Sequence, residues 1–121
     1  MLEFMHPDAV SLGVVGSVYV LNGGLHRVCA GSAGAVKVAT VKALNRMRIK
    51  VASIAKDAEQ QDVILAMSGE RRVEVRVEAL DKGSSRLHIQ ARQGEHDDVR
   101  TAVEVVAFTE RMLAQPAPLH G

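Results

Sequence analysis

Two neighbouring stretches constrain the fold of this chain more than any others. In "RRVEVRVEAL" (Arg71–Leu80), Val73, Val75, Val77 and Ala79 alternate with Arg72, Glu74, Arg76 and Glu78. In "SRLHIQARQ" (Ser85–Gln93), Leu87, Ile89 and Ala91 alternate with Arg86, His88, Gln90 and Arg92. Side chains on a strand point to opposite faces with period two, so each stretch reads as a strand with one apolar and one wet face. The link Asp81-Lys82-Gly83 reads as a three-residue hairpin loop, with Gly83 in the left-handed position of a bulge. That register sets Leu80 opposite Ser84, Glu78 opposite Arg86 and Arg76 opposite His88.

The flanking sequence extends this hairpin. "IKVASIAK" and "DVILAMS" read as two further strands across a polar "DAEQQ" turn, and "SGERR" reverses the chain into the Val73 strand. The register of the Ser68–Arg72 turn stays open. A two-residue loop at Gly69-Glu70 turns Ile64 and Ala66 inward, whereas a longer one favours Val63, Leu65 and Met67.

Helices bracket the strands. Ser32 is an N-cap residue ahead of Val36, Ala39, Thr40, Ala43, Leu44 and Met47, which recur at helical spacing, with Lys37, Lys42 and Arg46 on the wetter side. Asp97 or Asp98 caps a second helix with Val99, Ala102, Val103, Val106 and Leu113 on one stripe, stopped by Pro116 and Pro118. The expected class is α+β: an antiparallel sheet of about five strands, in the order β-α-β-β-β-β-α, with both helices on its apolar face. Residues 1–121 form one domain, with 1–12 and 115–121 as loose ends.

Composition narrows the function. Aromatic residues make up 2% of the chain, so surfaces that stack bases on rings are not expected. A net charge of +1 leaves no global field to steer nucleic acid or an anionic membrane. One cysteine permits no internal disulfide and no multi-cysteine metal site. The charge-free stretch Ala9–Leu21 is thirteen residues long, short of the ~20 that span a bilayer, so no transmembrane segment is expected. Left uncovered, that stretch would make a sticky edge or an oligomer seam. Val14, Val15 and Val18, with Val105 and Phe108 off the main helical stripe, are the contact candidates.

"HRVCAGSAGAVK" (His26–Lys37) is the stretch that looks most chemical. Its glycines and Lys37 do not match the G-x-x-x-x-G-K-[ST] spacing of a phosphate loop. His26 and Cys29 lie three apart on a strand, point to opposite faces and cannot pair as base and nucleophile. No catalytic residue and no cofactor is expected. The metal-ligand candidates are His96, Asp97 and Asp98 in "GEHDD", where helix capping is the competing explanation. Arg72, Arg76, Arg86 and Arg92 form the candidate face for an anionic partner, tempered by Glu74 and Glu78.

Tyr19, Gly23 and Leu25, the Ser32-led helix with Ala39, Thr40, Ala43 and Leu44, Ile49 and Val51 before Asp57-Ala58, and the run Gly69, Val73, Val75, Val77, Leu80, Arg86, Leu87 and Ile89 form a recognisable pattern. It resembles a bacterial family of small envelope proteins, often lipoproteins, that share a domain of unknown function. The resemblance implies the fold and a periplasmic or envelope address; a chain that never carried a leader would be cytoplasmic. The functional expectation is a non-catalytic, envelope-associated domain that binds another envelope protein or itself. The alternative is a small-ligand or metal-binding module using the Gly94–Asp98 loop.

Overall fold

The structure, a computed structural model, describes residues 18–21 and 24–115. Strands β1 (Val18–Leu21) and β2 (Gly24–Ala30) lead into helix α1 (Ala33–Arg46). Then come β3 (Lys50–Lys56), β4 (Asp62–Ser68), β5 (Arg71–Asp81), β6 (Ser84–Gln93), the two-residue β7 (His96–Asp97) and helix α2 (Val99–Ala114). The sheet runs β1-β2-β6-β5-β4-β3, antiparallel throughout, with β7 paired to β6 beside this path. This is the expected α+β architecture.

The opening strand departs from expectation by folding into a hairpin. Leu21 pairs with Gly24, so only Asn22 and Gly23 separate β1 from β2, and the described sheet has six strands on its main path. Asn-Gly between apolar runs is the strongest short hairpin signal, and it stands here in the sequence. Among the described residues β1 and β3 are the outer strands of the sheet.

The β5–β6 register agrees with expectation where it matters and differs at the loop. Glu78 faces Arg86 and Arg76 faces His88, but Asp81, not Leu80, pairs with Ser84. Leu80 is the bulged residue, 41% exposed, and Gly83 is not among the residues with positive φ. The cause is Asp81, whose carboxylate accepts from Gly83 N (2.8 Å) and Ser84 Oγ (3.0 Å) and closes a tight Asx turn. The surplus residue moves one step down the strand, which leaves the register from Glu78 onward unchanged.

At the β4–β5 turn Ser68 pairs with Arg71, so the loop is Gly69-Glu70, and Gly69 takes φ +62°. Ile64 and Ala66 therefore point inward, while Leu65 and Met67 point outward. The β3–β4 reversal is built on Asp57, whose Oδ1 accepts from Glu59 N (2.8 Å) and Gln61 N (2.9 Å).

Both helices cover one face of the sheet, where Leu25, Leu44, Ile49, Ile64, Leu87 and Ile89 are fully buried. Each such side chain contributes about 1.5–3 kcal/mol of transfer free energy. Ser32 caps α1, its hydroxyl accepting from Ala35 N at 3.1 Å. The far end of α1 closes in a Schellman pattern: Ile49 N bonds Leu44 O and Arg48 N bonds Asn45 O, with Arg48 in the left-handed region at φ +62°.

Helix α2 buries more than the single stripe read from sequence. Thr101, Val105 and Thr109 are buried alongside Ala102, Val103 and Val106, because α2 packs on the sheet and against α1 together. Val105 is thus a core residue with no exposed surface, and it is withdrawn as a subunit-contact candidate. Val99, expected on the inner stripe, is 38% exposed at the first turn. A charged bond pins α2 to the sheet: Arg27 Nε donates to Glu110 Oε2 at 2.5 Å. No helix among the described residues is long and apolar enough to cross a membrane.

Candidate functional site

With both helices on one face, strand alternation delivers the polar members of β5 and β6 to the other. Arg72, Glu74, Arg76 and Glu78 line up beside Arg86, His88, Gln90 and Arg92, with Leu65 and Met67 from β4 and His26 from β2 at the flanks. Among the described residues no helix packs on this face, and it divides into two neighbourhoods.

The first is a histidine pair. His26 and His88 are directly opposite in register, and their rings stack with centroids 4.3 Å apart and planes 12° from parallel. Gly24 makes room for this, since a Cβ there would lie 2.1 Å from His88 Nε2. Both imidazoles are held below their ordinary range. For His26 the causes are burial, then the charges of His88 and Arg86; for His88 they are burial, then Arg76, partly offset by Glu74. Parallel rings aim their nitrogen lone pairs along parallel planes, so the pair is built for stacking, not chelation.

The second neighbourhood is a shallow depression of about 240 Å³ near the other end of β6. Its floor is apolar: Leu65 and Met67, 37% and 45% exposed, joined by Ala52. Ala52 lies where the β3–β4 register shifts between Val51 and Ser53, and such a bulge re-aims a side chain out of the regular pleat. Arg72, Gln90 and Arg92 form the polar wall. Glu74 also lines it, but its carboxylate is taken by Arg76 Nε (3.0 Å) and Nη2 (2.9 Å).

The four candidate arginines are therefore not equivalent. Arg76 is held by Glu74 and by Asp57 Oδ2 at 2.8 Å, and Arg86 by Glu78 Oε1 at 3.0 Å. Arg92 gives Nη1 to Asp97 Oδ1 (3.1 Å) and Nη2 to the carbonyl of Glu95 (2.7 Å). Arg72 is exposed, and no acidic side chain pairs with it among the described residues. Most of the face is the salt-bridged ladder that alternating Arg and Glu produce; the Arg72 end carries uncompensated charge.

No protein-family model matches the chain, and no curated protein does.

The remaining candidates separate. Asp98, not Asp97, caps α2: its carboxylate accepts from Thr101 N (3.1 Å) and Thr101 Oγ1 (2.7 Å). Asp97 pairs with Arg92, and His96 sits exposed across from Gln93. Among the described residues no three His, Cys, Asp or Glu side chains gather as a metal site.

Cys29 lies 1% exposed on the helix side and His26 on the opposite side, as alternation requires. Burial, with help from Glu110 3.8 Å away, pushes the Cys29 thiol up to about 12, so it stays protonated and unreactive at neutral pH. Phe108 is half-buried beneath the Arg111 guanidinium, 4.8 Å from the ring centre. Val18 pairs with Arg27 at the sheet edge, while its side chain, Val14, Val15 and the chain ends 1–12 and 116–121 lie outside the described residues.

Sequence reasoning named Arg72 and Arg92 but missed Leu65, Met67 and Ala52. The first two followed from the turn register left open; the third follows from a bulge that no residue type announces.

Proposed function

We propose that this chain is a non-catalytic binding domain of the bacterial envelope whose working surface is the sheet face opposite its two described helices. One observation carries the reading: the amphiphilic depression over Leu65 and Met67, walled by Arg72 and Arg92, on the face opposite the two described helices. Exposed apolar surface rimmed by polar groups is the usual mark of an interaction site. The protonated, buried Cys29 and the dispersed His96, Asp97 and Asp98 supply no competing chemical centre. The envelope address rests on the sequence pattern from Tyr19 to Ile89 and its resemblance to small envelope proteins.

The test is to map amide shifts by NMR while titrating the ¹⁵N-labelled chain with a panel of small anionic, cationic and neutral amphiphiles. The expected shifts cluster on β4, β5 and β6. A cluster in the groove between the helices, lined by Val38, Met112 and Leu113, or no cluster at all, would overturn the reading. Recording the ligand-free spectrum over a range of concentrations separates binding of a second copy from binding of a ligand.

A further inference from the structure

We infer that the depression on the sheet face opposite the two described helices is a site for a small amphiphilic carboxylate, an anionic head on a short aliphatic chain. The inference rests on the reading of that face as the binding surface and assigns its ligand chemistry.

Charge comes first. Arg72 and Arg92 are directly opposite on β5 and β6, a cross-strand pair of like charges. Arg92 already spends both terminal nitrogens, on Asp97 and on the Glu95 carbonyl. Arg72 has no acidic partner, and the one carboxylate lining the depression, Glu74, is turned to Arg76. The wall thus presents one free guanidinium fork in the field of a second. That fork matches the two oxygens of a carboxylate, and Gln90 adds a neutral amide.

The floor decides the rest of the ligand. Ala52, Leu65 and Met67 offer only apolar atoms, and Leu65 and Met67 are large side chains left in water. A bare inorganic anion would leave that floor exposed. A neutral hydrocarbon would leave Arg72 uncompensated. An aliphatic carboxylate satisfies both, and covering the floor removes apolar area from water. Size sets the length: about 240 Å³ is below the ~300–1,000 Å³ of pockets that engulf drug-sized ligands, so the chain is short and lies along the sheet. Met67 is unbranched and adaptable, which suits a floor that shapes itself to a flexible tail.

The experiment uses the full chain and sodium octanoate below its micelle concentration, followed by amide shifts and calorimetry. Acetate, octanol and octylamine serve as comparisons. The expected result is saturable binding of octanoate with shifts at Leu65, Met67, Arg72 and Arg92. Acetate, octanol and octylamine should each bind at least about tenfold more weakly, and Arg72→Gln should lose about tenfold for octanoate, with an unchanged melting temperature. Equal binding of octanol or octylamine, or an Arg72→Gln variant that binds octanoate normally, overturns the carboxylate assignment while leaving this face as the binding surface. Absence of shifts on this face with all four compounds overturns both.

Discussion

The bond between Arg27 on β2 and Glu110 on α2 is the contact whose loss should cost most per atom changed. The Arg27 side chain is 10% exposed and the Glu110 side chain 25%. Glu110→Gln keeps the shape but removes the carboxylate to which Arg27 Nε donates under α2. Breaking a buried pair from one side costs roughly 3–5 kcal/mol. Water reaches the Glu110 end, so the expected cost falls below that range, about 2–3 kcal/mol. For a domain of this size that lowers the melting temperature by on the order of 10 °C.

Arg27→Met should cost a similar amount. The double variant Arg27→Met/Glu110→Leu removes both charges and should cost about 1 kcal/mol, well below the sum of the singles. Urea unfolding followed by far-UV circular dichroism measures all three. A second readout is the Cys29 thiol. Glu110 helps to raise it and Arg27 opposes that, so Glu110→Gln should speed alkylation at alkaline pH and Arg27→Met should slow it. Single variants that each cost under about 1 kcal/mol, or a double variant that costs their sum, would refute the coupling.

Further outcomes follow from other parts of the fold. Gly24→Ala places a Cβ 2.1 Å from His88 Nε2, so the ring must swing out. The loss of stacking should cost about 1 kcal/mol, and the His88 titration followed by NMR should move up toward its ordinary range. Arg48→Gly should stabilise the chain by about 0.5–1 kcal/mol in the same urea assay, because Arg48 holds φ +62° where glycine is unstrained. For the histidine pair, the unfolded chain takes up protons near pH ~6.5 while the folded pair resists. Stability should therefore be full above that pH and fall as the pH drops through it, and His26→Gln/His88→Gln should flatten that decline. Asp57 acts in a lower window. Bonds from Gln61 N, then Glu59 N and the Arg76 charge, hold its carboxyl down. Its support for the β3–β4 turn should be lost as the pH falls below ~4, seen as faster amide exchange at Glu59 and Gln61.

The sequence by itself determined the parts of this protein whose cause is local. Period-two alternation in Val73–Ala79 and Leu87–Ala91 fixes which face each strand buries, and one slipped residue would invert every side chain, so the register from Glu78 to Arg86 was legible. The caps were largely legible too, because Ser32 satisfies an orphan amide one turn ahead of it, and the choice left between Asp97 and Asp98 fell to Asp98. Separation of His26 from Cys29 follows from the same alternation.

Tertiary structure decided what depends on neighbours distant along the chain. Val105 turned inward because α2 is covered by the sheet and by α1 at once, and a one-stripe reading cannot see the second cover. Leu65 and Met67 faced outward because the Gly69-Glu70 turn has two residues, a choice that the apolar pattern of β4 leaves balanced. The Arg86–Glu78 pair followed from the register, but only the fold showed that Arg76 and Arg92 also find carboxylates while Arg72, among the described residues, does not. Alternation assigns a residue to a face, but the partner it meets there is set by strand order, and strand order belongs to the whole chain.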